Sequence, residues 1–410
     1  MRFDMKKGYV LVCLVLGALF LNSCDTGSND ISVEPFEFLV TDEFNRTITQ
    51  QSLEFFWLAA GQPDATQYIT YDVELYRVVY NTVDTEGNSI VASGAIMVPK
   101  GMDNPGLLSV QHATIFSNSE APSVDVGISV ATRKAIFASA GYITFLPDYL
   151  GYGITGEMLH PYQQESTLAS ASYDMLRAGL EFVESRELAN TMQPVNLTGY
   201  SEGAYATLAL ARLIETTSTP VQIDLISMGA PIFDLSGTMD FIIDNITEPT
   251  ECVPCYAYFL YTYHQLYEFP RPLSDYFNSP YDQRIADGLF SGENSAGFVR
   301  NQLPEGVDQL FNPSFIDRYL GGAESELRAA VAENDLFYVP NAEVLLVHGD
   351  ADGVAPVFNS DDFESRALAA GKTNLTYLRP EGVTHGTGIF PWGIGTLEAL
   401  GVRSKVLASH

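Results

Sequence analysis

The sequence predicts an α/β fold in which a mostly parallel sheet carries helices on both faces. Three observations lead to this prediction. Strand-like apolar segments alternate with helical segments along much of the chain, and hydrophobic residues make up 46% of its 410 residues, enough for a large core. One long segment, residues 232–340, interrupts the alternation. Strands that alternate with helices of this length pair in parallel, because each helix carries the chain back across the sheet.

The predicted elements follow one another as this fold requires. Residues 44–61 are apolar and predicted to be helical, and two antiparallel strands at 68–80 and 89–101, separated by the turn DTEGN, open the sheet. Further strands are predicted at 106–111, 142–146, 195–198, 223–231, 342–350 and 375–382, and helices at 133–140, 164–184, 204–214 and 360–371.

The interrupting segment is rich in aromatic residues, proline and polar turns, as in YAYFLYTYHQLYEF at 256–269. Its density of Tyr, Phe and Leu is too high for a disordered loop. We therefore predict a mainly helical cap inserted between two core strands, with a helix at 321–334. The predicted domain order is core 44–231, cap 232–340 and core 341–410.

The N-terminus has the features of a targeting segment. Three basic residues precede the apolar stretch 9–21, which is short for a transmembrane span. The LNSC that follows resembles a bacterial lipobox, in which the cysteine, here Cys24, is lipidated and becomes the mature N-terminus. We therefore predict a lipoprotein signal peptide at 1–23 and a polar tether at 24–43. The protein would then be lipid-anchored in a bacterial cell envelope, on the periplasmic or cell-surface side; an ordinary signal peptide is the alternative.

Charge and cysteine content narrow the classes of partner. The formal net charge of −30 argues against nucleic acid and against charge-driven binding to anionic membranes. Cys252 and Cys255 form the sequence CVPC in a compartment predicted to be oxidising, without a second C-x-x-C or a nearby histidine pair to complete a zinc site. They are expected to form a small local disulfide, or to remain a free pair with a structural role.

The stretch GYSEG at 199–203 places Ser201 between two glycines. A predicted strand precedes it and a predicted helix follows, which is the context of a nucleophile elbow. The glycines leave space for a serine held in a strained turn, and the helix N-terminus directs free N–H groups toward a developing negative charge. A solvent-facing serine in a strand–helix turn is the alternative.

A serine nucleophile needs a base, and the base needs an orienting carboxylate. If the chain order is serine, acid, histidine, as in α/β-hydrolases, the six histidines leave one candidate. This is His385 in GVTHGTG, since four others precede any late acid and His410 is the last residue. The acid is expected in HGDADGVAP, the loop after the apolar residues 344–347, which offers Asp350 and Asp352.

Four motifs, in the order QHAT, PDYLGYG with HPY, GYSEG, and HGDADGVAP with THG, together carry a family resemblance. Over about residues 70–400 the chain resembles the secreted lipase and esterase branch of the α/β-hydrolases. The resemblance implies the α/β-hydrolase fold with an inserted cap, and action on carboxylic esters. Its signature H-G-x-x-D-x-x-V/A-P places the acid at Asp352, with Asp350 as the second candidate. PDYLGYG is expected to be a structural turn near the mouth of the site.

The same resemblance suggests two donors for an oxyanion hole. One is the backbone N–H of Glu202, which follows the nucleophile. The other is that of Thr114, because His112-Ala113-Thr114 stands where such enzymes often have His-Gly-X, with Ala113 in place of the glycine. His112 is expected to brace this loop rather than to react.

No metal and no organic cofactor are predicted, because serine, acid and histidine suffice for ester hydrolysis. The predicted partners are a small-molecule, lipid or polysaccharide ester and the membrane.

Two other functions stay open. A serine peptidase on this fold would need an anchor for a peptide N-terminus, and Glu251 and Glu268 form no evident motif. A non-enzymatic surface binding protein with a relic site would not need all three positions filled.

Overall fold

The structure is a computed structural model that describes residues 37–124 and 130–402. These residues belong to one compact unit. The predicted signal peptide, Cys24 and His410 lie outside the described residues. Among the residues that are described, no helix is both long and apolar enough to cross a bilayer.

Nine strands form one sheet, in the order β1-β2-β3-β5-β4-β6-β7-β8-β9. The strands are β1 Leu39–Ile48, β2 Val73–Val83, β3 Ser89–Pro99, β4 Gly106–Gln111, β5 Tyr142–Pro147, β6 Val195–Tyr200, β7 Ile223–Gly229, β8 Glu343–Val347 and β9 Leu375–Leu378. Strands β1, β2, β3 and β5 pair antiparallel in that sequence, and all pairs from β5 through β4 to β9 are parallel. The predicted α/β class with a mostly parallel sheet is confirmed.

Helices cover both faces of this sheet. The core helices are α1 Gln50–Ala59, α2 Val130–Ser139, α3 Glu165–Ser185, α4 Glu202–Thr216, α12 Phe358–Ala369 and α13 His385–Ala399. Successive strand side chains point to opposite faces, so Leu107 belongs to the apolar cluster with α3 and α4, whereas Leu108 belongs to the cluster with α1, α2 and α13. The carboxyl ends of the parallel strands lie at one edge of the sheet, and the loops that follow them, including the turn between β6 and α4, lie there too.

The segment between β7 and β8, which contains the predicted cap, holds seven described helices. They are α5 Leu235–Asp244, α6 Val253–Leu266, α7 Tyr281–Ala286, α8 Ala296–Gln302, α9 Val307–Leu310, α10 Pro313–Leu320 and α11 Ser325–Glu333. A disulfide joins Cys252 to Cys255 at the start of α6. Tyr258 and Leu260 on α6 are buried in the same apolar cluster as α3 and α4, so these helices pack onto the core.

Two helix predictions are wrong in part, because pairing and backbone geometry outweigh local apolar content. The predicted helix at 44–61 begins as β1, which pairs antiparallel with β2 and starts within the predicted tether at 24–43; only α1 is helical there. The predicted helix at 321–334 starts too early: α11 begins only at Ser325, because the chain turns at Gly321 and Gly322 after α10, and Gly322 has a φ of 74°. Glycine adopts this left-handed conformation without steric cost.

Candidate active site

Ser201 occupies the sharp turn between β6 and α4. Its φ of 58° and ψ of −123° are rare for a residue with a side chain, and its N–H donates to the Gly229 carbonyl at 2.8 Å. A Cβ on Gly199 would lie 2.0 Å from the Gly203 oxygen, and one on Gly203 would lie 2.3 Å from the Gln111 oxygen. Both glycines are therefore required by close backbone approach.

Three side chains from different parts of the chain meet above this turn. The Nε2 atom of His385 lies 3.0 Å from the Oγ atom of Ser201, and its Nδ1 atom lies 2.7 Å from Oδ2 of Asp352. Because a carboxylate only accepts, Nδ1 carries a proton and Nε2 of the neutral ring faces the serine hydroxyl as an acceptor. This arrangement can move the serine proton to the ring.

The first turn of α13 and a buried tyrosine hold His385. Thr384 caps the helix in a reciprocal arrangement with Thr387, and the Tyr200 hydroxyl donates to the His385 carbonyl at 2.6 Å. Tyr200 directly precedes Ser201, so one short segment positions both the hydroxyl and the imidazole. Helix α13 is not among the helices predicted from the sequence.

Asp352 is fixed by backbone donors and by a second histidine. Its Oδ1 accepts from the N–H groups of Val354 at 2.9 Å and Ala355 at 2.8 Å, and its side chain is 1% exposed. Burial raises the pKa of its carboxyl, but the hydrogen bonds and charges of His348 and His385 outweigh burial and hold the pKa below its usual range. The carboxylate is therefore ionised at neutral pH.

His348 has no role among the functions predicted from the sequence, but it contacts Asp352 in the structure. Its Nδ1 lies 2.7 Å from the Ser360 hydroxyl, and its Nε2 lies 3.0 Å from the Ala355 carbonyl and 3.4 Å from Oδ2 of Asp352. Nε2 faces only acceptors and so carries the proton, which stabilises the same carboxylate oxygen, Oδ2, that His385 contacts. The position of His348 in HGDAD, four residues before the predicted acid, is the signal that the sequence offers.

Asp350 lies elsewhere. Its Oδ1 accepts from the backbone N–H of Gly382 at 2.6 Å, which ties the loop after β8 to the loop after β9. The structure thus brings Asp352, and not Asp350, to the imidazole.

The two predicted oxyanion donors come from α4 and from the loop after β4. Glu202 is the first residue of α4, so its N–H is one of those without an intrahelical acceptor. The Thr114 hydroxyl lies 3.0 Å from that of Tyr162. His112 is buried beside them, with Nε2 3.1 Å from the Asp148 carbonyl, and burial lowers its pKa to about 3. A neutral His112 is suited to bracing this loop.

Two cavities flank the site. The first, of about 60 Å³, reaches Ser201 and is lined mainly by apolar residues of α5 and α6. The second, of about 600 Å³, lies between α1, α13 and the loop that carries Thr114. Within the described part of the chain, no group of three or more His, Cys, Asp or Glu side chains could hold a metal ion.

Comparison with known proteins adds a family and a set of folds. Residues 118–247 match the secretory lipase family. No curated protein matches the sequence. A Legionella pneumophila protein assigned as a hydrolase is similar in structure, with a TM-score of 0.79 and 24% identity, covering 87% of this chain and 96% of that one.

Two further solved structures share the fold. The rice cell wall degrading esterase LipA from Xanthomonas oryzae has a TM-score of 0.75 and 21% identity, covering 88% of this chain and 95% of its own. Candida antarctica lipase A in its closed state has a TM-score of 0.58 and 15% identity, covering 86% and 79%. These neighbours show that the chain has the α/β-hydrolase fold, and the match to the secretory lipase family supports carboxylic ester hydrolase activity.

Proposed function

We propose that this chain, a member of the α/β-hydrolase superfamily similar to secretory lipases, cleaves carboxylic esters through Ser201, His385 and Asp352. The observation that carries the proposal is the chain of two contacts from Ser201 Oγ to His385 Nε2 at 3.0 Å and from His385 Nδ1 to Asp352 at 2.7 Å. Nucleophile, base and orienting acid are the groups that acyl transfer requires.

The reaction would run in two halves. Ser201 Oγ attacks the ester carbonyl while His385 Nε2 takes its proton, and the negative oxygen is stabilised by the N–H groups of Glu202 and Thr114. His385 then gives the proton to the departing alcohol, which leaves an acyl group on Ser201. A water molecule then attacks the acyl carbonyl while His385 Nε2 takes its proton. His385 returns the proton to Ser201 Oγ as the bond between the serine and the acyl group breaks, and the carboxylic acid is released. Asp352 stays ionised and stabilises the imidazolium in both halves.

We assign the acyl chain to the first cavity. This cavity is the one lined by Ser201, and its other walls include Leu235, Met239, Ile242 and Phe259. Apolar walls favour a hydrocarbon chain. The small volume of about 60 Å³ supports a short or medium chain.

The decisive experiment combines substrate selection with labelling. We expect p-nitrophenyl esters to be hydrolysed, aminoacyl-p-nitroanilides not to be hydrolysed, and a fluorophosphonate to label Ser201, as located by peptide mass spectrometry. Hydrolysis confined to the anilides would favour the peptidase. No labelling and no hydrolysis in folded protein would favour a binding protein.

The peptidase hypothesis gains no support from Glu251. Glu251 accepts from the N–H of Gly353 at 3.2 Å and so is bonded to the loop that carries Asp352.

We also propose that the enzyme is exported and anchored through a lipid on Cys24. The resemblance of LNSC to a lipobox and the match to a secretory family support this location.

A further inference from the structure

A buried histidine–carboxylate pair lies directly behind the proposed nucleophile. The Nε2 atom of His160 is 2.7 Å from Oε1 of Glu202, and each side chain is 1% exposed. Glu202 is the residue whose backbone N–H is the proposed oxyanion donor. The proposed reaction uses only that N–H, so a buried carboxylate at this position requires another explanation.

The hydrogen bonds around His160 and Glu202 determine how many protons the two side chains share. The second ring nitrogen of His160, Nδ1, lies 2.7 Å from the Leu150 carbonyl, which can only accept, so Nδ1 must donate. Between Nε2 and Glu202 there is then one proton, held either by an imidazolium or by a carboxylic acid. Both arrangements are electrically neutral as a pair, and both leave a bond between the two side chains.

The surroundings keep this pair dry and fixed. The rings of Tyr149, Tyr152 and Tyr258 lie 6.0, 4.8 and 6.3 Å from the His160 ring, measured between centroids. Gly151 makes the close approach possible, because a Cβ at this position would lie 2.4 Å from the His160 backbone. The motif PDYLGYG therefore builds the wall that receives His160.

The same wall holds the loop with the second donor. The Tyr162 hydroxyl, two residues after His160, lies 3.0 Å from that of Thr114. The Tyr152 hydroxyl donates to the Ile115 carbonyl at 2.6 Å, and that of Tyr149 to the His112 carbonyl at 3.3 Å. One segment, residues 149–162, thus contacts both predicted sides of the oxyanion hole.

We propose that the Glu202–His160 pair and Tyr162 are positioning residues that hold the N–H groups of Glu202 and Thr114 at the distance a tetrahedral oxyanion requires. This inference rests on the proposed ester hydrolysis. The side chain of Glu202 contacts no reacting atom; it acts through its own backbone, because a bond to His160 restrains the first turn of α4.

The test compares two substitutions at one position. Glu202→Gln keeps the bond, since the amide N–H can donate to Nε2 of a neutral His160 whose Nδ1 still donates to Leu150. Glu202→Leu has a similar size and removes the bond. In Glu202→Leu we expect kcat to fall by about 10²-fold, the scale of a displacement near 1 Å, with little change in KM. In Glu202→Gln we expect kcat to fall by less than about fivefold.

An arylboronic acid separates positioning from stability, because its tetrahedral adduct with serine needs the oxyanion donors. Its affinity should fall in Glu202→Leu by a factor similar to the loss in kcat. A Glu202→Leu protein with lowered Tm but unchanged kcat and boronate affinity would overturn the proposal. Ser201→Ala tests the triad separately, because full turnover in that variant rejects the proposed function. If Ser201→Ala loses turnover but Glu202→Leu keeps the parent kcat, only the positioning role is rejected.

A second pair of variants keeps the proposal testable if Glu202→Leu does not fold. Tyr162→Phe removes only the hydroxyl that meets Thr114. Tyr205→Phe is the matched control, because its equally buried hydroxyl donates to the Asn334 carbonyl at 2.7 Å, away from the loop. We expect roughly tenfold lower kcat in Tyr162→Phe, the value of one hydrogen bond, and unchanged kcat in Tyr205→Phe. Equal kcat in the two variants would reject a role for Tyr162.

Discussion

The Nε2 atom of His385 lies 3.0 Å from the hydroxyl oxygen of Ser201, although 184 positions separate the two residues in the chain. The contact depends on two neighbouring element junctions, β6 to α4 for the serine and the start of α13 for the histidine. Tyr200 connects them, since its hydroxyl bonds the His385 carbonyl and its backbone leads into Ser201. Tyr200 thus fixes the position of the His385 imidazole relative to the Ser201 hydroxyl.

Ser201→Ala should abolish turnover while the fold remains. We expect a loss of about 10⁴-fold or more in kcat, because nucleophile, base and acid act as a unit. Hydrolysis of p-nitrophenyl butyrate measures the loss, and near-ultraviolet circular dichroism verifies packing. Turnover at the parent rate in a folded Ser201→Ala protein would contradict the mechanism.

Asp352→Asn should lower kcat far more than Asp350→Asn. An amide at position 352 can donate to Nδ1 of His385 and so favours the tautomer that cannot accept the serine proton, a change worth about 10⁴-fold in comparable sites. Asp350 bonds Gly382 and not the imidazole, so its variant should retain most activity and serves as the control. The reverse ranking of the two variants would move the acid to Asp350.

Acyl-chain selectivity should follow the first cavity. Along a p-nitrophenyl series from acetate upward, kcat/KM should rise by about fourfold per carbon, since a buried methylene contributes about 0.8 kcal/mol, and should fall once the cavity is full. Ile242→Trp should move this maximum to shorter chains, because Ile242 lines that cavity.

Ile389→Trp is the matched control for acyl selectivity. Ile389 is also half-buried but lines the second cavity, so the maximum should stay where it is in the parent. If Ile389→Trp shortens the preferred chain and Ile242→Trp does not, the acyl chain occupies the second cavity. A profile independent of chain length would reject both assignments.

Cys24→Ser should release the protein from membranes into the soluble periplasmic fraction or the medium. A lipoprotein carries several acyl chains, and their combined burial gives stable anchoring that one chain cannot. Membrane fractionation with immunoblotting measures the shift, and Cys13→Ser, within the predicted signal peptide, is the control. Unchanged membrane association of Cys24→Ser would exclude the lipid anchor.

The sequence by itself determined the α/β class, because strand-like and helical segments alternate and this periodicity is local. It also singled out Ser201, through its two glycines, and His385, through chain order; the structure brings both together with Asp352, while their catalytic roles remain predictions. Tertiary structure alone decided β1, since its strand state depends on pairing with β2. It alone paired Glu202 with His160 and brought His348 to Asp352. Contacts of this kind join separate side chains through packing and hydrogen-bond geometry, and no local pattern of residues encodes them.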